Sequence, residues 1–260
     1  MKFRLGHHVY GLSAIALGVI TFIWRQIDAL GSITHPEILV YVVVIVELVG
    51  GLAIQWQKTV RFGALTLVSI FLIFSLYWIP QIVQSPLEFW VWGNFFEQFS
   101  LVVGCVFVFV ATIQNDPVRA ARIAKGAYLW YGVCVLTYAF YQLFYLTYTA
   151  NLVPKWIPPG QMFWAVATTI AFALAAFAML SGRFALLASR LLTLMIILFG
   201  LLVWVPPSFA NPHTMSNWRE LAENYLMAGA SWIVADFLVQ QGTIALRWPF
   251  DRVRTKHGRN

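Results

Sequence analysis

A single carboxylate sits in the middle of a run long enough to cross a membrane. Glu47 is the tenth residue of the eighteen-residue apolar stretch 38–55. An ionisable side chain at bilayer depth is costly, and it turns toward a protein interior or a polar cavity. Three kinds of chemistry are open to it. It could accept a proton, hold the polar head of a quinone or similar ligand, or stand as a neutral acid satisfied by a Tyr, Ser or Arg of the bundle. Gly50 and Gly51 follow one turn later. Their missing side chains permit either close helix approach or room for a ligand.

Other residues qualify this picture. Glu97, Glu220 and Glu223 stand near the starts of apolar runs, where a carboxylate also complements the helix dipole. Glu97 gains chemical interest if it shares a cavity with Glu47. His35, Trp92 and Asn94 fall at the same end and would shape that pocket. Arg61 and Arg190 open runs from the opposite end. They read first as snorkelling anchors and second as partners for an acid. Asp236 would pair with Arg190 or with the basic tail.

Several chemistries lack a signature. No histidine lies within an apolar run, which argues against a haem held by two facing histidines. His35 and His213 belong to one face, where solvated loop histidines are commoner than metal ligands. Cys105 and Cys134 lie in apolar runs without CxxC or Cys/His spacing, so they read as small buried hydrophobes and no metal site is expected. The Tyr-rich stretch 138–148 reads as packing and interface anchoring.

The elements that must position these residues follow from composition. Of the 260 residues, 60% are hydrophobic and 10% charged. A soluble domain carries about 25% charged residues, so the chain reads as an all-α polytopic membrane protein. Continuous apolar runs exclude a β-barrel, whose strands alternate. Eight spans are expected, over 9–24, 38–55, 62–80, 95–113, 127–149, 161–180, 190–207 and 223–241. The first lacks a small-residue cleavage site and reads as a retained span. The net charge of +7 does not point to nucleic acid, because the charges cluster between spans. With the N-terminus inside, fourteen of the 17 Lys and Arg fall on inner segments and three (Arg25, Lys155, Arg219) on outer ones. That bias sets both termini on the cytoplasmic side of the membrane. The tail 243–260 then lies on the anionic inner leaflet.

An ordered set of signals occurs twice. Arg61-Phe-Gly-Ala-Leu-Thr-Leu, Trp78-Ile-Pro80, Asn94-Phe-Phe-Glu97 and Gly104 are answered by Arg190-Leu-Leu-Thr-Leu, Trp204-Val-Pro206, Asn217-Trp-Arg-Glu220 and Gly229. Two four-span units are expected, 1–114 and 127–242, joined by a cytoplasmic linker over 115–126. With an even number of spans in each, they would be parallel repeats.

The motifs Glu47-Leu-Val-Gly50-Gly51, Arg61-Phe-Gly-Ala, and Asn94 with Glu97 resemble the DoxX family of small bacterial membrane proteins, as does His35-Pro36. Asn211-Pro-His213 and Ala228-Gly229 through Asp236 resemble the latter part of such a unit. The resemblance implies a fused pair of four-helix bundles. The second half departs from it, since the counterpart of Glu47 falls near Ala176 without an acid or Gly pair. Some relatives belong to quinone-linked redox systems. The resemblance therefore implies a membrane subunit handling a quinone, with Glu47 as its buried acid and separate soluble or membrane chains as redox partners. A non-enzymatic scaffold and a carrier for a small solute or lipid are the alternatives.

Overall fold

The computed structural model describes residues 5–31 and 36–242. His35 and the basic tail lie outside the described residues. Eleven α-helices are present: α1 (Leu5–Trp24), α2 (Glu37–Ile54), α3 (Val60–Tyr77), α4 (Ile79–Gln84), α5 (Phe89–Val110), α6 (Pro117–Phe144), α7 (Leu146–Leu152), α8 (Gln161–Ser181), α9 (Ala185–Phe199), α10 (Val205–Ala210) and α11 (Met215–Gly242). There is no strand among the described residues.

The helices are sorted as lipid requires. In α2, Ile38, Val42, Ile45, Val49 and Leu52 form an exposed stripe, while Val40, Val43, Val44, Glu47 and Gly50 are buried. The outward stripe is aliphatic and the acid faces inward, the reverse of a water-soluble helix. The outward faces of α8 (Met162, Phe163, Val166, Ile170, Leu174, Phe177) and α9 (Leu187, Leu191, Leu194, Leu198) repeat the pattern. Apolar surface of this extent fits a bilayer. Six spans pass on length and composition: α1, α2, α5, α8, α3 with α4, and α9 through α10. The pair α6–α7 makes a seventh if counted as one span, bent by 94°.

The expected eighth span is helical, as part of α11, but it is not among those apolar enough to cross on composition. The helix α11 carries Arg219, Glu220, Glu223 and Asp236, and no described side chain from 217 to 239 is exposed. A helix enclosed by other helices does not need an apolar surface.

The long helices form a ring. Each of α1, α2, α3, α5, α6, α8, α9 and α11 packs on the next, and α11 closes the ring on α1. In addition, α11 packs on α5 across the middle. The α5–α11 wall divides the ring into a first cell, with α1, α2 and α3, and a second cell, with α6, α8 and α9. Glycines make the first cell tight. A Cβ on Gly51 would lie 2.7 Å from the Gly11 carbonyl oxygen of α1, and one on Gly63 would lie 2.7 Å from that of Gly50.

Boundaries differ from the sequence reading for identifiable reasons. The expected linker over 115–126 is largely the start of α6. Asp116 accepts a hydrogen bond from the Arg119 backbone N–H at 2.9 Å, and Pro117 occupies the first helical turn. Asn-Asp-Pro is a helix start here, not a hinge. The expected span 127–149 breaks at Tyr145. The span 190–207 is interrupted by a π-helical turn at Gly200–Trp204.

Local structures missing from the sequence reading recur at one end of the bundle. The indole N–H groups of Trp92, Trp164 and Trp218 donate to the carbonyls of Pro86, Pro158 and Pro212, at 3.1, 2.9 and 3.0 Å. Each Trp is the fourth residue of its helix, α5, α8 or α11. Proline six residues ahead of tryptophan is the signal that would have found them. Similarly, α4 and α10 both follow a tryptophan, Trp78 or Trp204, and both carry a proline in the first turn.

Candidate functional site

Glu47 projects into the first cell and is 3% exposed. Its single hydrogen bond among the described residues comes from the Thr21 hydroxyl of α1, at 3.3 Å. Beside it is a pocket of about 20 Å³, room for one water. Leu17, Ile20, Phe71 and Phe74 supply its apolar walls, and Gln98, Arg219 and Glu223 its polar side.

These three polar residues belong to the shared wall. Arg219 and Glu223 are one helical turn apart on α11, with Nη2 to Oε2 at 2.8 Å. Their side chains are 14% and 4% exposed. The amide of Gln98, on α5, donates to the other Glu223 oxygen. Glu223 thus has a partner on each oxygen, which is what a buried carboxylate needs. Glu47 interacts electrostatically with both Arg219 and Glu223. The sequence reading treated Glu223 as a helix-dipole residue and did not single out Gln98. They lie 125 residues apart, and only the fold brings them together.

The second cell encloses a cavity of about 440 Å³, well within the range of small-molecule sites, roughly 300–1,000 Å³. It lies where α5, α8 and α11 begin and α6 and α9 end. Phe172, Met195, Leu198, Phe199 and Leu202 make it apolar, and Trp164 and Trp204 flank it. Polar groups come from Asn94, Glu97, Tyr138, Tyr141, Gln142, Glu220 and Asn224. Two of them have unmet capacity: the Tyr138 hydroxyl and the Asn224 Oδ1 are buried without a hydrogen-bond partner. A buried polar atom left unpaired in a cavity wall is a place where a ligand or water gains free energy. The Tyr-rich stretch read as packing therefore lines the cavity in part, through Tyr138, Tyr141 and Tyr148.

Glu97 faces this cavity and not the Glu47 pocket. The two acids do not share a cavity; they flank one wall. Glu97 interacts electrostatically with Glu223, Glu220 and Arg219, so Arg219 and Glu223 are felt from both sides. Asn94 lines the cavity and anchors its amide on the Trp90 carbonyl at 2.8 Å. Trp92 does not line it; its ring stacks on Phe96 and clamps Pro86. Gly50 and Gly51 offer no room for a ligand, since added Cβ atoms would meet Leu67 at 2.6 Å and the Gly11 carbonyl at 2.7 Å. They are packing glycines.

Arg61 lies over the Phe109 ring at 5.5 Å, and Arg190 is exposed. Neither makes an ion pair among the described residues, as snorkelling anchors need not. Among the described residues no three His, Cys, Asp or Glu gather as metal ligands.

Comparison of the chain with family models, curated proteins and solved structures returns no match. What it does rests on the geometry of these two cells.

Proposed function

We propose that this is a bacterial inner-membrane protein that binds a quinol-class molecule, an aromatic diol with an apolar body, in the second-cell cavity. It would serve a quinone-linked redox system as a membrane subunit, with the electron-transfer cofactors on partner chains. The observation that carries the reading is the cavity itself, a largely apolar chamber with two carboxyl groups and two unpartnered polar atoms in its wall. Glu97, Glu220 and the unpaired Asn224 Oδ1 would accept from diol hydroxyls, and Tyr138 would bond to an oxygen in either redox state. The twice-occurring Trp-x-Pro and Asn-x-x-Glu signals support a tandem DoxX-like origin, with both termini cytoplasmic and the cavity toward the outer leaflet. On this reading the acids that touch the ligand are Glu97 and Glu220, and Glu47 stands behind them.

Tetramethylhydroquinone, kept reduced, tests this through quenching of the Trp164 and Trp204 fluorescence in protein held in nanodiscs. Saturable binding is expected, weakened about 5- to 20-fold by Asn224→Leu or Glu97→Gln, the worth of one hydrogen bond. Absence of saturable binding, or indifference to both substitutions, would leave a scaffold as the better reading.

A further inference from the structure

The buried polar groups of the two cells are not separate. Thr21 bonds to Glu47, which shares its pocket with Gln98, Glu223 and Arg219 of the α5–α11 wall; there Gln98 and Arg219 both hold Glu223, and Glu97 and Glu220, next in sequence to Gln98 and Arg219, line the cavity on the other side. Arg219 has its short contact with Glu223, so Glu47 and Glu97 lie on opposite sides of a cation already committed. Two independent features point to a ligand site on that side: the cavity, and the unpartnered Asn224 Oδ1 and Tyr138 hydroxyl, each on a residue 9% exposed.

We propose that Glu47 and Glu97 are coupled across the wall through the paired charges of Arg219 and Glu223, so that filling the cavity changes how many protons are held at Glu47. The argument is charge conservation in a low-dielectric space. Net charge there is strongly opposed, and carboxyls sharing one counter-ion titrate as a set. A diol donating to Glu97 favours its ionised form. The added negative charge then reaches Glu47 through Arg219 and Glu223, and Glu47 keeps or takes up a proton. The groups facing Glu47 are the Thr21 hydroxyl from α1, apolar Phe71 and Phe74 from α3, Gln98 from α5, and Arg219 and Glu223 from α11. The pocket's one-water volume gives the proton a carrier between Glu47 and the wall. By linkage, the coupling acts equally in both directions.

This rests on the cavity being the ligand site, so the test has two arms. In the first, tetramethylhydroquinone affinity is measured against pH. It should tighten as pH rises, because binding favours ionised Glu97. Glu47→Gln, at a position that does not line the cavity, should move that profile to lower pH, since Glu97 no longer competes with a second carboxylate. Asn224→Leu should weaken binding without moving the profile. In the second arm, without ligand, infrared spectroscopy follows the protonated carboxyl band. Glu47→Gln should delete a band in that region, and Glu97→Gln should shift the pH at which the Glu47 band disappears. If Glu47→Gln does not fold, Thr21→Val replaces it and should also move the profile. An unmoved binding profile together with an infrared titration indifferent to Glu97→Gln overturns the proposal. Failure of the diol to bind, with the infrared coupling intact, overturns the ligand reading and leaves the coupling standing.

Discussion

The two cells share a wall and are built on opposite plans. The first is closed by glycines that bring α1, α2 and α3 into backbone contact, and its polar interior is paired apart from one water-sized gap. The second is propped open. Tyr145 breaks α6, a π-helical turn interrupts α9, and aromatic side chains hold the walls apart around about 440 Å³. Similar local signals at corresponding places therefore give packing in one half and a chamber in the other. What separates the halves is the small residues at the crossings, not the acids.

Substitutions that invert this contrast should have graded effects. Glu223→Ala should be the most damaging, because it removes the carboxylate that both Arg219 and Gln98 bind in the wall; removing one partner of a buried pair costs about 3–5 kcal/mol. The check is the yield and thermal unfolding of the protein in detergent, where a near-complete loss of folded protein is expected. Gly51→Leu should also destabilise, though less. It forces α1 and α2 apart, at roughly 1–3 kcal/mol for overpacking, whereas Gly126→Leu, with nothing within 4 Å of its added Cβ, should be neutral in the same assay. Truncation should also discriminate between the cells. Leu67→Ala, in the closed cell and fully buried, should cost about 2–5 kcal/mol. Met195→Ala, on the wall of an existing cavity, should cost about 1 kcal/mol or less, because few contacts remain to be lost. Arg190→Gln should be smallest, within about 0.5 kcal/mol.

The all-helical, membrane-length character of the chain was legible in the sequence for physical reasons. Continuous apolar runs announce helices of membrane length, and a lone Glu47 among them had to face inward. The recurrence of Trp78-Ile-Pro80 at Trp204-Val-Pro206 pointed to similar turns at similar places, and both precede a short helix. What stayed hidden depended on neighbours distant in the chain. Gln98 carries no mark until Glu223 is beside it. Glu97 was tied to Glu47 because both are acids near apolar runs, yet the fold sets them on either side of α5 and α11. The break at Tyr145 has neither proline nor glycine to announce it. Asp116-Pro117 falls in the expected linker, and the cap it provides starts a helix there instead.

The difference between the cells can be measured directly with thiols. Cys105 and Cys134 are fully buried and should stay silent toward a small membrane-permeant methanethiosulfonate reagent. In that background, Met195→Cys should react readily and be protected by tetramethylhydroquinone, while Glu47→Cys should react many times more slowly and without protection. Equal reactivity at the two positions, or protection at neither, would contradict an open ligand chamber beside a closed acid pocket.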